Sequence, residues 1–124
     1  MNWQDAALLA AGMIGSIVAV IHGILTQRLM VRPLLESSLT ELQKLVKMLV
    51  PPLLQFSTFN WFLGGLALIA SIWFGPDVRL AIGLLVGTSY LFAAIVALWA
   101  SRGRHPGGLL YAVALILIII GINP

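Results

Sequence analysis

The chain has 124 residues, of which 60% are hydrophobic and only 9% charged, with no cysteine and a formal net charge of +3. Ordinary soluble domains carry about 25% charged residues, so this composition excludes a typical water-soluble globule and predicts an integral membrane protein. Seven lysines and arginines in so apolar a chain are too few and too scattered for a nucleic-acid surface, and the lack of cysteine removes disulfides and thiolate chemistry.

Four apolar stretches follow one another at 6–27, 52–74, 78–100 and 107–122. A hydrocarbon core about 30 Å thick takes roughly 20 helical residues, so the first three are long enough to span, and the fourth needs a thinned bilayer or support from neighbours. The predicted fold is all-α. It is a single transmembrane domain, an integral membrane bundle of four transmembrane helices with one cytoplasmic interfacial amphipathic helix over about 38–50. The first stretch lacks a preceding basic region, carries Asp5 and is followed by a basic flank, so it reads as a retained helix and not as a signal peptide.

In that first span Ala11, Gly15, Ala19 and Gly23 recur at every fourth position. Small residues at this spacing allow close helix approach, which drives association in lipid; the competing reading is that Gly and Ala are simply common in membrane helices. Pro33 lacks a backbone donor and disfavours helical geometry at Arg32, so the helix is expected to end or kink there. Ser38 and Glu41 have capping-box spacing. Beyond them Leu39, Leu42, Val46 and Leu49 share one face, and Glu41, Lys44 and Lys47 lie largely on the other. An interfacial helix with its basic side toward headgroups is expected, the alternative being a connecting helix that only covers the bundle.

Pro51 and Pro52 suit the start of the second span, and Gln55, Ser57, Thr58 and Asn60 concentrate in its first half. Polar groups at this depth should face protein or water. Gly64 and Gly65 either permit close contact or weaken the helix, and Trp61 lies too deep for the interfacial belt that suits Trp3 and Trp73. After the turn Gly75-Pro76-Asp77, the third span carries Gly83 and Gly87 on one face and Ser89, Ala93, Ala97 and Ser101 on another. Two receptive faces predict a central position in the bundle. Trp99 suits the cytoplasmic belt. A tight basic turn, SRGRHPGG, then leads to a final span that is almost purely aliphatic apart from Tyr111.

Positive charge sets the expected orientation. Arg28, Arg32, Lys44 and Lys47 occupy the first connection and Arg102 and Arg104 the third, whereas the second has only Arg79 beside Asp77. The first and third connections are therefore predicted to be cytoplasmic, with both termini on the non-cytoplasmic side of a cell inner membrane.

That orientation gathers the intramembrane polar residues toward the cytoplasmic side. His22, Gln55 and Thr58 lie close to that surface, Asn60 and Tyr90 reach deeper, and Tyr111 lies about one turn into the last helix. Arg28, Arg102, Arg104 and His105 are placed to ring the opening. The candidate pocket has a cationic rim and a hydrogen-bonding floor, suited to a lipid-like molecule such as a phospholipid, an isoprenoid or a quinone. The competing reading is plain: a lone helical His bonds a neighbouring helix, and Arg at a span's end serves topology. No catalytic motif, metal-ligand cluster or cofactor signature is present, and a His22–carboxylate pair would need Glu36 to fold back.

The segment from His22 through Arg32-Pro33-Leu34-Leu35, together with Ser101-Arg102-Gly103-Arg104-His105-Pro106-Gly107 leading into an apolar last helix, resembles small uncharacterised bacterial inner-membrane proteins with four transmembrane helices and a basic SRGRHPG-type turn. The resemblance implies the same topology and a bacterial origin, and carries no activity. The expected function is that of a non-enzymatic packing or accessory subunit, with membrane lipids and other membrane subunits or a second copy as partners. The alternative is a binder or carrier of a lipid-like molecule at the cytoplasmic pocket, with transport through an oligomer third.

Overall fold

The computed structural model describes residues 1–37 and 41–123. Ser38 and Leu39, and with them the expected Ser38–Glu41 capping box, lie outside the described residues. Helix α1 spans Trp3–Thr26 and continues through a π-helical turn, Gln27–Val31, into α2, Arg32–Glu36. Helices α3, α4 and α5 span Glu41–Ser71, Pro76–Ala100 and Pro106–Ile122. No strand occurs among the described residues. Three helical rods, Trp3–Glu36, Gln43–Ser71 and Pro76–Ala100, are long and apolar enough to cross a membrane, while α5 is shorter.

The helix does not end at Pro33. Arg32 is helical at φ −59° and ψ −53°, and the rod runs on to Glu36. In a regular α-helix the Pro33 ring would press on the carbonyl of Leu29 and leave it without a donor. The π turn inserts an extra residue there, with the Arg32 N–H donating to Gln27 O, and so accommodates the ring without ending the helix.

A second correction concerns Pro51 and Pro52. They lie inside α3, so the interfacial helix expected over 38–50 and the second span form one continuous helix. Lys47, expected on the headgroup side, turns back: its Nζ donates to Leu35 O at 2.9 Å and to Ser37 O. It thereby caps the carbonyls at the end of α2 and ties the two long rods together.

Helix α1 packs along both α3 and α5, and α4 packs along α5 and only lightly on α3. Helices α1 and α5 each have two extensive neighbours, whereas α4, expected at the centre from its paired small-residue faces, has one. The expected seam of α1 is buried at Ala11, Gly15 and Ala19, joined by Gly12 and Ser16. Gly12 and Gly65 bring α1 and α3 together so closely that a Cβ on Gly12 would lie 2.5 Å from Gly65 O. On α4, Gly83 and Gly87 face Ile118 of α5, and Ala97 faces Gly108. The stripe Gly108, Tyr111, Ala114, Ile118 and Gly121 is the buried side of α5, an i, i+3, i+4 pattern hidden in a uniformly apolar sequence.

One end of the bundle is tied by polar contacts. Asn2 and Asp5 form a reciprocal capping box at the start of α1. Asp5 also pairs with Arg79 at 2.7 Å, and Arg79 Nε donates to Phe74 O at 3.1 Å. Gln4 donates to Asn123 O at 3.1 Å, so both chain ends and the α3–α4 turn meet here. The opposite end holds α2, the start of α3 and the turn after α4.

Candidate functional site

At that opposite end the four-helix packing leaves a cavity of about 700 Å³. Its position follows from where α5 begins. Gly107 lies beside Val18 of α1, and Gly108 beside Ala97 and Leu98 of α4. Beyond that level the rod from Ile21 to Met30 has no α5 to pack on. The rim is made of half-exposed apolar side chains, Ile21, Leu25 and Leu29 from the first rod and Phe92 and Val96 from α4. Ser57 and Trp61 of α3 line the inner wall.

The polar lining is concentrated around His22. Its Nε2 lies 3.3 Å from Thr26 Oγ1 and 3.4 Å from Ser57 Oγ, and Ser57 Oγ donates to Leu54 O at 3.1 Å. Thr26 is buried at 5% exposure. Edge-to-face contacts carry the aromatic series inward: His22 to Trp61 at 4.8 Å and Trp61 to Tyr111 at 5.2 Å between ring centroids. Tyr111 then meets Tyr90 at 4.6 Å, and the Tyr90 hydroxyl donates to Trp61 O at 3.0 Å. Such contacts fix ring orientation, each worth about 0.5–1.5 kcal/mol beyond area burial.

His22, His105 and Tyr111 are the sequence-predicted site residues that line the cavity. His105 also caps α5, its Nδ1 accepting the Gly108 N–H at 3.1 Å. Tyr90 is buried behind Tyr111. Gln55 instead donates to Gly23 O at 3.0 Å and to Gln27 Oε1 at 3.3 Å on the far side of α1. Thr58 and Arg28 lie with Gly23 along a separate shallow groove there. Asn60 is exposed, pointing away from the bundle. Arg102 and Arg104 are exposed in the turn and line neither cavity nor groove.

The expected cationic rim is therefore not formed around the cavity. No Lys, Arg, Asp or Glu lines it. Glu36 does not fold back to His22; fourteen residues further along the same rod places it about 21 Å away. Among the described residues no three His, Asp or Glu side chains come together as a metal site.

Comparison of the chain with protein-family models, with curated proteins and with solved structures gives no match. What the site can do rests on its geometry. The cavity is mainly apolar, with a histidine and two hydroxyls at one wall and no charge, a surface that receives an uncharged amphiphile and leaves an ionised group without a partner.

Residues missed by sequence reasoning are Thr26, Ser57 in its contact with His22, Trp61, and the rim residues Phe92 and Val96. Two signals were available. Thr26 lies one turn from His22 on the same helix, and Trp61 sits at a depth where an indole needs a protein neighbour. Nothing in the sequence distinguishes Phe92 or Val96 from other apolar residues of α4.

Proposed function

We propose that this chain is an integral inner-membrane protein that holds a lipid-like molecule in the cavity between α1 and α4. The observation that carries the reading is a cavity of about 700 Å³ whose rim is apolar and half exposed. In water such a rim is a liability; in a bilayer it faces acyl chains and gives an amphiphile a sideways entrance. The volume falls within the roughly 300–1,000 Å³ typical of small-molecule sites.

Insertion is supported by three apolar rods of spanning length and by the charge distribution. Arg28, Arg32, Lys44, Lys47, Arg102 and Arg104 cluster toward one end, whereas the other end's Arg79 is paired with Asp5. The positive-inside rule makes the cavity end cytoplasmic and the terminal end non-cytoplasmic.

A mild-detergent preparation followed by native mass spectrometry and lipid extraction tests the reading. The wild type retains a bound amphiphile, and Val96→Trp, which fills the rim, loses most of it while its circular dichroism is unchanged. Equal retention by the two proteins sinks the proposal.

A packing or accessory role is the second reading, favoured by the outward face of α3. Phe56, Phe59 and Leu63 are exposed there, with Asn60 among them. An amide at membrane depth gains from a partner helix, either another subunit or a second copy. The same mass spectra read this directly: Asn60→Leu shifts the assembly toward the monomer, and a wild type that is monomeric throughout removes this reading.

A further inference from the structure

We infer that the cavity's occupant belongs to the quinone–quinol class: an uncharged ring head bearing carbonyl or hydroxyl oxygens on an apolar tail, its head oxygen bonded to Nδ1 of His22. This rests on the reading that the cavity holds an amphiphile, and adds which head it takes.

Charge is the first discriminator. Arg28, Arg102 and Arg104 stand outside the cavity, and no ionisable group other than His22, His105 and Tyr111 lines it. A phosphate or carboxylate head would leave water with no permanent cation to meet, only imidazoles that must first take up a proton, at a cost an uncharged head avoids. An anionic phospholipid is thereby disfavoured relative to a neutral head.

Hydrogen bonding is the second. Both contacts of the His22 ring to protein hydroxyls are made at Nε2, from Thr26 and Ser57. Nδ1 is left to bond the occupant. Ser57 can keep its proton on Leu54 O and accept from Nε2–H, or turn that proton to Nε2. Thr26 can donate to Nε2 or accept from it. With the proton on Nε2, Nδ1 is an acceptor and suits a quinol hydroxyl. With Thr26 donating to Nε2, Nδ1 carries the proton and suits a quinone carbonyl. The same side chains therefore serve both oxidation states by exchanging a tautomer, with no rearrangement of the helices.

Shape is the third. Trp61, edge-on to both His22 and Tyr111, forms an aromatic wall for a planar head, and the gap bounded by Leu25, Leu29, Phe92 and Val96 leaves the tail a way out into hydrocarbon.

Trp61 makes the test direct. In the full chain with Trp3, Trp73 and Trp99, all well exposed, replaced by Phe, the remaining indole reports on the cavity. A decyl-substituted benzoquinone is titrated in detergent and read by quenching, and its quinol is measured by competition. The expected result is saturable binding of both forms, weakened about tenfold for both in His22→Phe, on the order of one net hydrogen bond. Unchanged melting and an unchanged Trp61 emission maximum show that the variant is folded. Quenching that is identical in His22→Phe overturns the assignment. So does the absence of quinone quenching in a protein that retains phosphatidylglycerol on extraction, an outcome that rejects the head class but keeps the amphiphile cavity. Failure of the wild type to retain any amphiphile, read in the extraction experiment, rejects the cavity reading itself.

Discussion

Arg102 shows how much a single backbone angle decides. The end of α4 is closed by Gly103 N–H donating to Leu98 O at 2.7 Å and Arg102 N–H to Trp99 O at 3.3 Å, the paired bonds of a Schellman turn. That turn needs a left-handed residue, and Arg102 supplies it at φ 54°. An L-residue pays roughly 1–2 kcal/mol for this conformation, whereas glycine adopts it freely. Arg102→Gly is therefore expected to stabilise the fold by about 1 kcal/mol, measured by denaturation in mixed micelles. A loss of stability would mean that the arginine side chain makes a contact worth more than the strain. Asn60 carries the opposite lesson: its polarity was legible, but its direction depended on the rotation of α3, and the face it occupies is the outer one.

Between elements, the closest approach is that of α1 and α3. A Cβ on Gly65 would overlap Ser16 Oγ and come within 2.6 Å of Gly12 O. Side-chain movement cannot relieve contact with a backbone carbonyl, so the helices must separate. Gly65→Ala gains about 1 kcal/mol in helix propensity yet is expected to lose about 1–3 kcal/mol overall, because overpacking outweighs propensity. Increased stability in the same micelle assay would show that the crossing is looser than this geometry. The continuity of α3 belongs to this scale too. Pro51 and Pro52 at the first turn of a new helix and the same pair inside a longer one have identical local sequence; helical φ suits proline in both cases, but inside a regular helix each ring presses on the carbonyl four residues back and removes its donor, at a cost of about 3 kcal/mol that packing must offset. Lys47 reaching the α2 carbonyls is a tertiary contact that favours the continuous form.

For the molecule as a whole, the distribution of cations predicts one orientation. Because the chain lacks cysteine, single cysteines report cleanly on accessibility. Arg104→Cys in intact cells is expected to be protected from a membrane-impermeant thiol reagent, and Asp77→Cys to react. The reverse pattern would invert the topology and place the cavity at the outer surface. Meeting of Gln4, Asn123, Asp5 and Arg79 at one end requires only that successive long helices run antiparallel, so the bundle itself permits either orientation and charge must choose.

Sequence alone determined that the fold is all-helical, because its apolar runs, bounded by prolines, glycines and basic turns, are far longer than the strands of a sheet and have the length of helices. It also marked small residues as contact points and His22 and Tyr111 as polar groups needing protein neighbours. It did not place the arginines relative to the cavity, orient Asn60, or reveal that α5 begins beside Val18 of α1 and leaves the rod beyond that level uncovered. Those depend on helix rotation and on the level at which neighbours meet, quantities set by side-chain interlocking between distant segments and absent from any local pattern.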